Sequence, residues 1–534
     1  MTSFAGTWQL MRLALRRDRV LLPAWIAIFV GMTIVSAAGT VALYPDESSR
    51  IVAAVAINKV PTFVAMYGRV WDPTSLGELS MIKMSGLGAV FISILAALLM
   101  IRHTRADEES GRSELLAAGP IGPLAPLASA FAVTLLSLVA IGGMSAAGLA
   151  AVGLPLDGSI AFGLAWIAVG LVFAGVAAVT AQVSASARAA DAFALIAIAV
   201  AYIVRAIGDL TGSADGSGVA TWLSPIGWSQ QARAYAGDNV AVLLVSVGAT
   251  AVLVVVAVAL NRTRDFGAGL LHERTGRARA QAPLASVWAL AIRQQSLLVF
   301  AWLLSYAIVG ALMGTIASDL HELLSTPQAS QMITALGGTS SVVDGFISLE
   351  FGIFAFATAA FGISITRRTT SEEAAGRAEL VLAGSVSRAS YVMSQVVIAL
   401  VGSTALMFVQ GAAFALADAQ QTGNPAHLGT DIAAALVWLP AVWTMTGLAV
   451  LLTGGLPRAF TVAWGALVLI IVAGELGALL DWPSWVLDLS PFSHIPALPG
   501  AAMDWAPVIA LTAIAAALIA AGTWLFARRD LDTS

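Results

Sequence analysis

Two short polar stretches hold the residues of this chain whose types and spacing suggest chemistry. Arg102 to Gly119 reads RHTRADEESGRSELLAAG, and Arg367 to Gly384 reads RRTTSEEAAGRAELVLAG. Placing Gly111 on Gly376 sets an offset of 265 residues, and Glu108, Arg112, Glu114 and Gly119 then fall on Glu373, Arg377, Glu379 and Gly384. Glu109 and Glu372 extend the acidic runs. Such residues offer ion pairing and protein docking, not nucleophilic attack. Acidic side chains gather where a helix dipole favours them, and Glu108 with Arg112 and Glu373 with Arg377 stand at i,i+4 in the better order. Each stretch therefore reads as one short helix outside a bilayer, stopped by Gly119 or Gly384, with Pro120 reinforcing the first stop. A solvated loop helix explains one such stretch; two at matched positions point to a pair of equal handles.

Other chemistry is sparse. There are no cysteines, and His103, His272, His321, His427 and His494 show no ligand spacing, which argues against a metal site. The two lysines, Lys59 and Lys83, do not follow a glycine-rich phosphate loop, so a Walker-type nucleotide site is excluded. Lys83, Asp191, Arg205, Asp209, Asp344, Glu350 and Glu475 fall in or beside apolar runs, where ionisable groups are costly and usually face a cavity or one another. Lys83 and Glu350 lie within two residues of equivalence in the repeat, which predicts a cross-half ion pair. Asp209 in IGDL and Glu475 in AGEL stand at matching outer ends of apolar runs, either as carboxylates at headgroup level or as an outer gate.

The elements that must position these groups are hydrophobic. The 534 residues are 59% hydrophobic and 11% charged, with a mean hydropathy of +0.87, which excludes a soluble globular class and predicts an all-α polytopic membrane protein. A net charge of −4 gives no footprint for nucleic acid. Residues 1–20 put Phe4, Trp8, Met11 and Leu15 on one helical stripe beside Arg12, Arg16 and Arg19, the pattern of an interfacial helix. The run 21–43 is long enough to span and lacks a convincing cleavage site, so it reads as retained. Further spans are predicted near 81–101, 124–153, 160–183, 192–210 and 240–260, then 297–317, 344–366, 389–416, 431–455, 460–480 and 505–526. This gives two halves, 1–265 and 287–534, joined by a basic linker, 266–286.

Further matches support the duplication. LALRRDRVLLPAW from Leu13 aligns with LAIRQQSLLVFAW from Leu290, LSP at 223–225 with LSP at 489–491, and Arg264-Asp265 with Arg529-Asp530. Both halves are expected to begin with a basic interfacial helix. Six spans per half make the repeats parallel, about an axis along the membrane normal. Arg50, Lys59, Arg69, Lys83, Arg205 and Arg233 alone fall outside the proposed inner segments, so the positive-inside rule places both termini and both handles in the cytoplasm of a cell-membrane protein. Trp222, Trp228, Trp482, Trp485 and Trp505 suit an outer aromatic belt. The Trp-, Pro- and Gly-rich stretches 211–239 and 481–504 can dip into the membrane only if their backbone groups are buried in protein.

An interfacial helix, a polar EE-x-x-GR-x-EL segment between spans two and three, six spans per half and an irregular outer segment between spans five and six resemble the type-2 ATP-binding-cassette (ABC) exporter permeases. The similarity is to the fused, double-length actinobacterial branch associated with export of polyketide antibiotics such as tetronasin. That resemblance implies coupling helices at Glu108, Glu109, Arg112 and Glu114 and at Glu372, Glu373, Arg377 and Glu379, docking two copies of a cytoplasmic ATPase that carries the ATP and Mg. It also implies a path lined by spans two and five; a wall so poor in charge favours a small amphipathic or lipid-like cargo, and Lys83, Glu350, Asp209 and Glu475, as ionisable groups in or beside the spans, are the pathway or gate candidates. A proton-coupled secondary multidrug transporter fits the span count too, with Glu350 or Asp209 carrying protons. A membrane-embedded lipid enzyme lacks a catalytic constellation.

Overall fold

In lipid every backbone polar group must be satisfied internally, so long apolar runs become helices. The computed structural model describes residues 3–117, 119–212, 216–265, 267–271, 286–324, 339–476 and 483–530, and all its regular elements are helical. Among the described residues eleven helices are long and apolar enough to cross a membrane, or twelve if the bent pair Glu47–Lys59 and Pro61–Tyr67 counts as one span. The chain divides into two compact units, Met1–Gly276 and Arg277–Ser534, a division that falls inside the 266–286 stretch.

In the first unit the spans are Leu21–Leu43, Leu76–Arg102, Ala125–Ala151, Leu156–Val183, Ala187–Thr211 and Leu243–Thr263. The fourth is the core, packed by the second, third and sixth. Small residues set that packing: the backbones of Gly142 and Gly163 approach so closely that a Cβ on either would meet the other's carbonyl. Trp166 fills the centre, edge-on to Phe29 at 5.8 Å, and donates its indole N–H to Met84 O at 3.1 Å. That carbonyl belongs to a π-helical turn, Met84–Gly88, inside the second span. Exposed Val35, Ile196, Ile203, Leu244 and Val255 lie on the outer helices, the apolar surface a bilayer covers.

The second unit contains Val287–Leu324, Thr339–Ala374, Arg388–Thr422, the pair Leu428–Leu436 and Leu439–Gly455, the shorter Thr461–Leu476, and Trp505–Arg528. Its core sets Phe351 edge-on to Phe414 at 5.3 Å and Trp302 edge-on to Phe361 at 5.7 Å.

Three expectations are corrected. Among the described residues a separate basic helix, Thr7–Arg17, precedes the first span, whereas in the second unit the aligned residues lie inside the continuous Val287–Leu324. The break after Arg17 has a local cause: Pro23 cannot extend a helix backwards over Arg19, and Phe300 stands in its place in the second unit. The second span starts at Leu76 rather than near 81, because Ser75 caps it by accepting from Glu78 N at 3.2 Å, an S-x-x-E start signal hidden in a polar loop. Each handle is two helical segments rather than one, described below.

The end of the first unit far from the handle is closed by short helices. Glu47–Lys59 and Pro61–Tyr67 meet at 95°, since Val60 before Pro61 is held extended at φ −92°, ψ 106°. Val219–Trp222 and Pro225–Gln230 lie beside them, with Ser224 Oγ donating to Ala201 O at 2.7 Å and Gln230 Nε2 to Tyr67 O at 2.8 Å. Tyr235 then inserts its ring between Gly77 and Gly158, where a Cβ would stand 2.3 Å and 2.1 Å from it, and its hydroxyl meets Ser159 Oγ at 2.8 Å. The ring is blocked on both sides, so Gly158→Ala is expected to cost about 1–3 kcal/mol by overpacking. Thermal unfolding of the detergent-solubilised chain should show that loss largely absent in a Tyr235→Ala background.

Candidate functional site

The glycine that registers the two polar stretches is also what breaks them. Gly111 and Gly376 adopt φ +73° and +69°, a left-handed turn open to glycine at little cost. The first handle is accordingly Arg105–Glu109 and Arg112–Ala117, while in the second the long helix ends at Ala374 and Arg377–Leu382 follows. The turn removes the i,i+4 geometry, so Glu108–Arg112 and Glu373–Arg377 do not form. Arg112 Nη1 instead lies 3.6 Å from Asp107, and Arg377 Nε 2.6 Å from Glu372; Asp107 and Glu372 are equivalent in the repeat.

Glu108 and Glu373 turn inward to the arginine at the end of the sixth span. Arg264 donates Nη1 to Glu108 Oε1 at 2.6 Å and Nη2 to Oε2 at 2.8 Å. Arg529 donates Nη1 to Glu373 Oε1 at 2.6 Å and Nη2 to Oε2 at 2.5 Å. Both pairs are bidentate forks 156 residues apart in sequence. Side-chain exposure is 9% and 6% in the first pair and 16% and 5% in the second, so both are shielded charge-assisted contacts. Glu108 also accepts from Arg105 Nη1 at 2.8 Å and Gly267 N at 2.7 Å. The match of Arg264-Asp265 with Arg529-Asp530 was the sequence signal for this clamp, although the spacing did not show its partner.

The first handle has two further ties. Glu109 Oε2 accepts from Ala187 N at 2.8 Å, capping the fifth span with negative charge at its N-terminus; the second repeat has Ala374 in its place. Asp18, with a fully buried side chain, receives Arg102 Nη2 at 2.9 Å and faces His103 Nε2 at 2.8 Å. His103 Nδ1 meets Arg17 Nη2 at 2.9 Å, and Arg17 Nη1 reaches Asp107 at 2.6 Å. A neutral imidazole can accept from Arg17 at Nδ1 while its Nε2 faces the Asp18 carboxylate. The aligned position in the second unit is Gln295, which accepts this role with an amide pair to Gln395 at 3.1 Å. Asp18 was missed because one acid inside an arginine-rich run reads as a solvated face.

Of the eight handle residues, Glu108, Glu109, Glu372 and Glu373 are thus engaged within their own halves. Arg112, Glu114, Arg377 and Glu379 are exposed, and Leu380 is 79% exposed beside the last two.

The pathway candidates scatter. Lys83 is exposed where the second span enters its π turn. Glu350 is buried in the second unit and accepts from Gln410 Nε2 at 2.5 Å, a partner in its own half. Asp209 accepts from Arg205 Nη1 and Thr221 Oγ1, each at 3.0 Å, and is 4% exposed. Arg205, fully buried, also donates to Ala65 O and Met66 O and lies 4.5 Å over the Tyr202 ring. Arg69 joins them by donating to Asp209 O and Gly212 O, each at 3.0 Å. This knot binds the bent outer pair to the fifth span. The Glu475 side chain and Trp482 lie outside the described residues.

The described residues form a helical chain with clamped polar handles, and comparison with known proteins gives its family. Residues 284–527 match the family model described as "Multidrug efflux system permease Rv1217c, C-terminal domain". The chain is 40% identical over 533 residues to the multidrug efflux system permease protein Rv1217c of Mycobacterium tuberculosis (strain ATCC 25618 / H37Rv), covering 99% of this chain and 96% of that one. It belongs to this family of multidrug efflux permeases. The clamps are therefore features of a permease and hold its handles to its spans.

If each fork acts as one unit, a double-mutant cycle will show it. Glu373→Gln and Arg529→Gln are expected to destabilise the permease singly, with the double variant costing about 0.5–3 kcal/mol less than their sum. Glu108→Gln with Arg264→Gln should behave alike, as read by thermal unfolding. Strict additivity in both cycles would show that the pairs carry no coupling.

Proposed function

We propose that the chain is the membrane conduit of an ATP-driven exporter of the type-2 ABC class, moving amphipathic, drug-like compounds out of the cell. In this reading both termini and both handles are cytoplasmic, each handle docks one copy of a separate ATPase subunit, and ATP with its Mg is bound there. The observation that carries the proposal is the repeated fork. A docking element held only by its loop would absorb a push from a partner, whereas one joined by two charge-assisted hydrogen bonds to the end of a span passes the push to that span.

The exposed residues supply the docking chemistry. Arg377 and Glu379 flank the bare Leu380, giving an apolar knob between opposite charges; Arg112 and Glu114 offer the same charges in the first half. An apolar centre with a polar rim is the usual anatomy of a protein interface. The matched multidrug efflux permease supports export of chemically varied amphipaths as the task.

In the competing reading Glu350 carries a proton. Its burial in the second unit with Gln410, while the repeat places Ser85 and Ser145 at the aligned positions, suits a local structural pair better than a repeated relay.

Two experiments separate these readings. In inverted membrane vesicles, ATP-dependent uptake of a fluorescent amphipath and retention of the ATPase subunit should fall at least tenfold on Glu379→Lys with Leu380→Asp, while stability of the chain moves by no more than about 0.5 kcal/mol, as for surface changes. Uptake that persists without any ATPase and collapses with the proton gradient would refute the ATP-driven reading. Glu350→Gln should retain at least half of the uptake; complete loss with normal stability would favour proton carriage.

A further inference from the structure

Beneath the first handle the side chains enclose a cavity of about 390 Å³, within the size range of small-molecule pockets. Leu10 and Leu13 of the interfacial helix form one apolar wall and Leu127 of the third span another, with Ser113 and Asn261 adding polar groups. The exposed Phe4 and Trp8, 58% and 61% accessible, place that helix at the depth where aromatic and apolar groups enter the headgroup layer. Leu13 is itself 52% exposed, so the cavity has a wall that the lipid side can reach.

The charges in the lining decide what fits. Arg17 is paired with Asp107 and Arg264 with Glu108, both at 2.6 Å. Every one of these four ions already has its counter-ion, and a charged ligand would have to separate a shielded pair to gain one. A neutral ligand meets no such cost. The Asn261 amide reaches Pro123 O at a long 3.4 Å, which leaves most of its donor and acceptor capacity for a guest.

We propose that this cavity binds a neutral, drug-sized amphipath drawn from the lipid layer on the handle side. Its walls include both the Glu108–Arg264 fork and the Arg17–Asp107 tie, so the guest sits against the contacts that hold the handle. As a loading place for cargo the site rests on the export reading above; as a binding site it does not.

The test uses the full chain in phosphatidylcholine nanodiscs, without ATPase, and as probe a trifluoromethyl phenyl diazirine bearing a benzyl alcohol, which is uncharged and carries one hydroxyl. Photolabelling should saturate on the segments around Leu10 to Ala14 and Ile121 to Leu127, and be displaced by unlabelled benzyl alcohol analogue. Leu13→Trp, which fills the cavity from its exposed wall, should cut saturable labelling at least fivefold. Asn261→Leu, which leaves the space but removes the polar group, should raise the half-saturating concentration at least threefold. If Leu13→Trp does not accumulate in the membrane, the Asn261→Leu titration decides alone. Labelling that rises linearly and spreads over lipid-facing Leu244 and Val247 overturns the proposal, as does labelling displaced by short-chain phosphatidylcholine and not by the alcohol. Because no ATPase is present, a negative result removes the site and leaves the export reading intact, whereas saturable labelling in a chain that never recruits an ATPase keeps the site and removes the motor.

Discussion

The structure depends on a fork of two hydrogen bonds between one glutamate and one arginine, present in each half. A carboxylate and a guanidinium lose hydration when shielded, and recover it only when geometry is good and the remaining donors and acceptors are occupied. On the acceptor side this is met at Glu108, where Arg264, Arg105 and Gly267 N converge on two oxygens. The fork also solves a mechanical problem. A handle attached only through left-handed Gly111 or Gly376 would swivel; fixing its preceding turn to the sixth span removes that freedom while leaving the following turn exposed. The glycine and the fork therefore act as one device, a pivot beside an anchor.

The fold class was legible because apolar runs of spanning length leave few alternatives to helix, and the division of the polar stretches was partly legible because Gly111 and Gly376 were already the registering residues. The ion pairs were not legible. Spacing along one helix suggested Glu108 with Arg112, but the positive φ of the glycine cancels that helical register, and the true partner lies 156 residues away. What the sequence did contain was the recurrence of Arg-Asp at both exits. The acidic pairs EE at 108–109 and 372–373 looked like the outward surface of the handle, yet carboxylates placed at span ends are drawn to whatever buried donors lie nearby. The partner of Asp209 was equally hard to read: Arg205 stands four residues before it on the same helix, and the pair buries itself together under Thr221.

The two halves solve shared tasks with different chemistry. Asp18 with Arg102 and His103 secures the first interfacial helix, while Gln295 and Gln395 secure the aligned place with neutral amides. The first half closes its outer end with the Arg205–Asp209–Arg69 knot, and the aligned position of Arg205 in the second half is Ile471. Charged pairs hold one geometry tightly but are costly to rearrange, whereas amide pairs and aliphatic contacts tolerate displacement. Among the described residues the first half thus has ionic ties at both ends of its bundle, and the core of the second half is built on aromatic contacts of Phe351, Phe361 and Phe414.

This difference bears on where motion can enter. A span bundle moves as a body only if its ends are tied more strongly than its middle, and the first half meets that description: ionic ties at the handle and at the outer knot enclose a middle built on close glycine contacts and a π turn. The π turn has a carbonyl, Met84 O, taken by the Trp166 indole rather than left to the helix ladder alone, and π turns are places where a helix changes register at small cost. It also lies one residue past the exposed Lys83. Between Arg102 and the Ser75 cap the sequence MSGLG is the irregular stretch of the second span, and its glycines let Gly86 pack against the Tyr67 backbone and Gly88 against the Trp166 ring.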